Sequence, residues 1–254
     1  MVRRILNAYD NFNHFYLVAA IVMADADMSL ALPAVFFGAV GTAGQRCTST
    51  RRLYLQRSIA SAFIERLQSA YRSVRPGDPL VDGTLLGPVH TKQAMGLHLK
   101  TIQNLKISGA EILAGGNSFE TSEVPKELSQ GYYVRPTLAL PKSEDPCQEI
   151  WSKETFAPIL NVAIFDELEE AIEYNNAVPQ GLSSTLWTRD VRNIGKWLGP
   201  GGSDCGIVNV CVWYGDVMCF SVVNLEVSRS TSEQVGLKLG QRLVGIRCDF
   251  GQTQ

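Results

Sequence analysis

The order of apolar and polar positions divides the first 210 residues into short alternating elements. Leu17 to Ala24 is an apolar run of strand length. Ser29 to Val40 is small and apolar throughout and predicts a buried helix despite Pro33. Arg51 to Gln56 predicts a strand. Ile59, Phe63, Leu67, Ala70, Tyr71 and Val74 fall on one helical face, with Ser58 as the expected N-cap. Pro76-Gly77-Asp78-Pro79 stops that helix and opens a loop to Gly87-Pro88. Thr91 to Ile107 predicts a second amphipathic helix, and Glu111 to Ala114 a strand. A polar loop covers Ser118 to Gln130. Tyr132 to Leu140 reads as extended, with Pro136 placing it at an edge or bend. Ile159 to Phe165 predicts a strand. Asp166-x-x-Glu169 has the pattern of a capping box opening a helix to about Asn175. Leu182 to Trp187 (strand), Val191 to Leu198 (helix) and Gly206 to Val210 (strand) complete the series.

Strands alternating with helices at this spacing predict an α/β fold with a mostly parallel sheet and helical crossovers. No internal repeat is present. After Val210 the rhythm is lost, and residues 211–254 hold three of the six cysteines. The expected organisation is a segment 1–19, a domain 20–210 and a tail 211–254.

Composition narrows the function classes. At 254 residues the chain fits one large domain or two modest ones. With 45% hydrophobic and 19% charged residues it is globular in composition, not a disordered charged chain. A net charge of −2 offers no general field for nucleic acid or anionic lipid. No apolar run approaches the ~18 residues of a membrane span. Arg3 and Arg4 before an apolar stretch ending Ala24-Asp25-Ala26 imitate a signal peptide loosely, and the strand reading is preferred. The six cysteines are irregularly spaced without a C-x-x-C pair. With only His14, His90 and His98 they form no zinc pattern, so no metal is expected. A reducing compartment, cytoplasmic or mitochondrial, follows.

Cys47 is the most informative residue. The glycine-bracketed turn Gly41-Thr-Ala-Gly44-Gln-Arg-Cys47 follows the long apolar helix. Glycines let backbone turn tightly and approach a bound group. A thiol on such a turn can meet backbone N–H donors that favour a thiolate and a developing oxyanion. Taken locally, a buried small hydrophobe is an equal reading.

Three segments then carry a family resemblance. Gly41-Thr-Ala-Gly-Gln-Arg-Cys47 resembles the nucleophile loop of the aldehyde dehydrogenase superfamily. Glu154-Thr-Phe-Ala-Pro158 resembles that family's Glu-x-Phe-Gly-Pro motif. Trp197 to Val210 resembles the corresponding stretch of its antiquitin subfamily (family 7), which Ala157 also fits. The resemblance runs from about Ala20 to Val210. It implies the three-layer catalytic domain of that family and NAD as cofactor. Cys47 would attack an aldehyde carbonyl, giving a thiohemiacetal and then a thioester that is hydrolysed. The Cys47 N–H would be half of an oxyanion hole. Glu154 would hold the nicotinamide ribose and Phe156 would pack beside the nicotinamide. Arg46 would pair with a carboxylate on the substrate, an amino-acid semialdehyde such as α-aminoadipic semialdehyde, or else be tied to backbone carbonyls. Asn209 would have a structural supporting role. Lys92, Lys153 and Lys196 read as solvated charges, and the remaining cysteines as inert.

The resemblance also has gaps. Where the family carries its general-base glutamate, Asn13-His14-Phe15-Tyr16 stand, and an amide cannot take up a proton near neutral pH. Residues 1–19 hold no Gly-rich phosphate turn and no βαβ unit. The asparagine completing the oxyanion hole is missing, as is the Gly-rich anchor loop after Val210. The expectation is a partial chain with the cofactor domain largely absent. It would be weak or inactive alone as an NAD-dependent dehydrogenase of a small-molecule aldehyde. Two other readings stand beside this one. In the first, the chain is a non-catalytic interaction module co-assembling with a full-length relative, a homo-oligomer being the other assembly expected of the chain. In the second, it is a thiol-dependent esterase remnant.

Overall fold

The computed structural model describes residues 17–142, 149–178, 181–214, 216–223 and 242–247. Among the described residues nine strands form one mixed sheet. They are β1 (Val18–Val22), β2 (Thr50–Gln56), β3 (Glu111–Ala114), β4 (Thr137–Leu140), β5 (Ile159–Phe165), β6 (Ser183–Trp187), β7 (Ile207–Tyr214), β8 (Asp216–Val223) and β9 (Arg242–Arg247). Their spatial order is β3-β4-β5-β2-β1-β6-β7-β8-β9. The six strands from β4 to β7 run parallel, and β3, β8 and β9 are antiparallel additions at the two ends. The predicted α/β class with a mostly parallel sheet is therefore what the chain adopts. β7 runs through position 210 to Tyr214, so the expected tail begins inside a strand.

Helices cover both faces. α1 (Met28–Val40) and α2 (Arg57–Ser73) lie over one, where Val35, Ala39, Phe63 and Leu67 pack on Leu53, Leu55, Leu160 and Val162. α3 is Lys92–Ile107, and α4 is the single turn Glu149–Ser152. α5 (Leu168–Asn176) and α6 (Val191–Leu198) cover the opposite face, where Trp151, Leu168, Ile172 and Trp197 pack on Ile21, Tyr54, Phe165 and Leu186. Alternate residues of β2 feed the two cores, Leu53 and Leu55 one and Tyr54 the other, as the strand's two-residue period requires.

Several elements depart from expectation for local reasons. α1 is buried only along Ala31, Val35, Ala39 and Val40, and Phe37 on its outer face is 53% exposed. It is a one-sided layer over the sheet. α2 begins at Arg57, with Gln56 at the N-cap position and no side-chain cap, because β2 passes into it without a loop; Ser58 sits inside the first turn. At α5 the N-cap is Glu167, and Glu170 rather than Glu169 reaches back to accept from the Asp166 N–H at 3.0 Å. Only Thr137–Leu140 of the extended segment joins the sheet. Pro136 precedes an interior strand, where its missing N–H removes no ladder bond.

Candidate active site

β2 and β5 are parallel neighbours, so the segments that enter them lie side by side. Residues 41–49 lead into β2 and residues 154–158 lead into β5. Topology alone thus brings the nucleophile-type loop against the Glu-x-Phe segment about a hundred residues later. The site forms at the amino ends of these strands.

The first loop is tightly wound. Gly41–Gly44 make a 3-10 turn in which Thr42, Ala43 and Gly44 have φ of 55°, 52° and 65°. Left-handed conformations at Thr and Ala cost of order 1–3 kcal/mol each and persist only where the surroundings impose them. Gly44 shows the cause. A Cβ there would lie 2.7 Å from the Ala157 carbonyl group and the Pro158 nitrogen, so the two loops touch backbone to backbone. Gln45 accepts from the His90 N–H at 2.9 Å and donates to the Pro88 carbonyl at 3.3 Å. A turn then closes with the Ser49 N–H donating to the Arg46 carbonyl at 3.0 Å and the Arg46 N–H to the Ser49 hydroxyl at 3.2 Å. Cys47 rides on that turn with its thiol exposed. Cys205 and Cys211 are buried, and Cys147, Cys219 and Cys248 fall outside the described side chains.

Arg46 is half-buried. Its Nη2 donates to the Phe37 carbonyl at 3.1 Å, and its guanidinium lies 5.0 Å from the centre of the Phe37 ring. Of its two readings, the backbone-carbonyl contact is the one formed here. Its buried Nε has no hydrogen-bond partner among the described residues.

Arg51 is the residue that reading the sequence missed. It is 4% exposed, and its guanidinium reaches both loops. Nη2 donates to the Gly44 carbonyl, and at 3.5 Å to that of Arg46. Nη1 donates to the Ala157 carbonyl at 2.8 Å. Nε and Nη2 donate to Glu154 Oε1 at 3.2 and 3.0 Å. Burial pulls the Arg51 pKa below its ordinary value, and the Glu154 carboxylate counters that pull. The Glu154 side chain is 2% exposed, so it is a buried ion-pair member rather than an open acceptor. Phe156 has φ 53° and is 36% exposed, with its ring 5.7 Å from the Arg51 guanidinium carbon. The only available signal was a doubled arginine opening an otherwise apolar strand.

Asn209 is not in this group. It lies on β7, separated from β2 by β1 and β6. Its Nδ2 donates to the Ser184 carbonyl at 3.1 Å and the Ser183 hydroxyl at 3.2 Å, and its carbonyl accepts from Trp197 Nε1 at 3.2 Å. Asn13 and His14 lie outside the described residues.

The residues at hand do not fit a dinucleotide as they are arranged. The clefts beside Glu154 have volumes of about 20 and 60 Å³. The one carboxylate that the resemblance assigns to the ribose is turned onto Arg51. Among the described residues no group of three His, Cys, Asp or Glu is placed to hold a metal, and no helix is long and apolar enough to cross a membrane.

Comparison with known proteins identifies the family. The model of the aldehyde dehydrogenase family matches residues 18–219. "Aldehyde dehydrogenase family 7 member A1" of Pisum sativum is 47% identical over 192 residues, covering 76% of this chain and 36% of that protein. The "Alpha-aminoadipic semialdehyde dehydrogenase" of Mus musculus is 46% identical over 192 residues, covering 76% and 34%. The chain thus spans about a third of the length of the curated relatives it matches. Among solved structures, lactaldehyde dehydrogenase from Escherichia coli is 32% identical with a TM-score of 0.69, over 77% of this chain and 39% of that one. An indole-3-acetaldehyde dehydrogenase in complex with NAD+ is 30% identical with a TM-score of 0.68, over 76% and 37%. The chain belongs to the aldehyde dehydrogenase family, and its likeness is to family 7.

Proposed function

We propose that this chain carries the nucleophile half of an aldehyde-oxidising site, with Cys47 as the attacking group. The observation that supports this is an exposed thiol on a turn held by backbone and side-chain hydrogen bonds, directly before β2. The thiolate, not the thiol, attacks carbonyl carbon. The sulfur adds to the aldehyde carbon, the carbonyl π pair moves to oxygen, and that oxygen takes a proton to give the thiohemiacetal. The Cys47 N–H would donate to the developing oxyanion. The substrate would be an amino-acid semialdehyde, in keeping with the name of the mouse relative, and Arg46 would meet its remote carboxylate by leaving the Phe37 carbonyl. The cofactor would be NAD, as bound by the structural neighbour, and Glu154 would have to leave Arg51 to meet its ribose.

Because Glu154 faces Arg51, the chain tested alone is expected to show little or no turnover. Purified chain treated with iodoacetamide should take up one label rapidly, and Cys47→Ala should lose that label. An aldehyde with a remote carboxylate should slow the labelling, and little NADH should form. Labelling spread slowly over several cysteines would rule out Cys47 as an activated nucleophile. Sustained aldehyde-dependent NADH formation would overturn the expected inactivity.

A further inference from the structure

The nucleophile-type loop and the Glu154 segment are far apart in sequence and come together at one side chain. Arg51 donates to Gly44 and Arg46 on the first, and to Ala157 and Glu154 on the second. The loop it holds contains two non-glycine residues in left-handed backbone, which need external contacts to stay there. Glu154 is the carboxylate that makes a buried guanidinium tolerable at this place, since removing one partner of a buried pair leaves an uncompensated charge.

We infer that Arg51 is a positioning residue: its guanidinium, held by Glu154, fixes the backbone of the Cys47 loop, so that the reactivity of Cys47 depends on Glu154 through Arg51. This rests on the reading of Cys47 as the nucleophile. The planar fork is what the geometry requires, because one ammonium on a flexible stem cannot serve three carbonyls and a carboxylate together. The same link makes the two loops one unit. Any group that draws the Glu154 carboxylate away from Arg51 is felt at the turn that carries Cys47.

The experiment measures Cys47 alkylation by iodoacetamide with peptide mapping, in the full chain and in Arg51→Met, Arg51→Lys, Glu154→Gln and the double variant Arg51→Met with Glu154→Gln. Hydrogen exchange over residues 41–50 and 154–158 is read in the same samples. Arg51→Met is expected to slow Cys47 labelling threefold or more and to raise exchange in both segments together. Arg51→Lys should fail to restore either. Glu154→Gln, which keeps an acceptor oxygen and so favours folding, should move both readouts in the same direction. The double variant should match Arg51→Met rather than sum the two effects. Ile172→Ala lowers stability on the other face of the sheet and should leave the labelling rate unchanged, which separates positioning from general destabilisation. Wild-type labelling and exchange in Arg51→Met and Glu154→Gln, with Cys47 still the selective target, would overturn the inference alone. If wild-type labelling is not selective for Cys47, the nucleophile reading fails, and the exchange data still decide whether Arg51 holds the loops.

Discussion

Among the described residues, three buried cations or potential cations are accommodated in three ways. Arg51 has a carboxylate. Arg52, 1% exposed, has neutral oxygens: Leu17 at 2.7 and 3.1 Å, Tyr174 at 2.9 Å, Asn175 at 3.3 Å and the Tyr54 hydroxyl at 3.1 Å. His98 is fully buried, and neither ring nitrogen has a hydrogen-bond partner among the described residues. Burial lowers its pKa from 6.5 to about 4, so the ring is neutral when folded. The sign follows from linkage. The unfolded chain binds the proton first, so this residue's contribution to stability is intact above about pH 6.5 and declines as pH falls toward 4. Denaturant midpoints measured from pH 7 to 4 should fall less steeply in His98→Leu than in the wild type; parallel curves would refute the assignment. None of these three environments was legible locally. The sequence shows an arginine pair opening a strand and a histidine in a helix, while the partners of the arginines lie as far as 123 residues away.

Among the elements, those with strong local signals were readable to within a residue. α3 is one, where Thr91 caps by accepting from the Ala94 N–H at 3.1 Å, and α6 is another, where Asp190 accepts from the Arg192 N–H at 2.8 Å. The start of α2 was not, because its boundary is set by where the sheet ends. The Gly41–Cys47 turn was recognisable as a turn. Its conformation was not, since it is imposed by contact with residues 157 and 158. Gly44→Ala tests that contact. It adds a left-handed penalty of about 1–2 kcal/mol to a backbone clash at 2.7 Å. The melting temperature should drop by about 5 °C or more. An unchanged melting temperature would mean that the loops do not meet as described. Arg52 acts at the C-terminal turn of α5, where a cation meets the last carbonyls of the helix. Arg52→Met should destabilise the chain by about 3 kcal/mol, seen in chemical denaturation. A loss below about 1 kcal/mol would show these contacts to be replaceable by water.

At the scale of the molecule, one sheet separates two large cores that share no buried residue, and a third, smaller cluster gathers Ile102, Leu105, Ala110, Ala139 and Ile159 among the described residues. The core beneath α1 and α2 contains Phe63, and the core beneath α5 and α6 contains Ile172. Phe63→Leu and Ile172→Val should each destabilise by about 1 kcal/mol and add to within about 0.5 kcal/mol in the double variant. A larger departure would mean that the sheet transmits strain between its faces. The α/β class was legible because strand and helix periods alternate clearly. The order of the strands was not, because nothing local tells β1 that its two neighbours are β2 and β6.

That placement of β1 bears on how the chain is made. Ala19 pairs with Ser184, so the second neighbour of the central strand emerges 165 residues after it. At roughly 5–20 residues per second of synthesis, β1 waits on the order of 8–33 s for that partner. Throughout, Val18-Ala-Ala-Ile-Val22 carries an unsatisfied edge of apolar residues, the kind of surface to which nascent chains adhere. Ribosome-bound intermediates ending before residue 183 should therefore engage holding chaperones, and release should follow once Trp187 has cleared the exit tunnel.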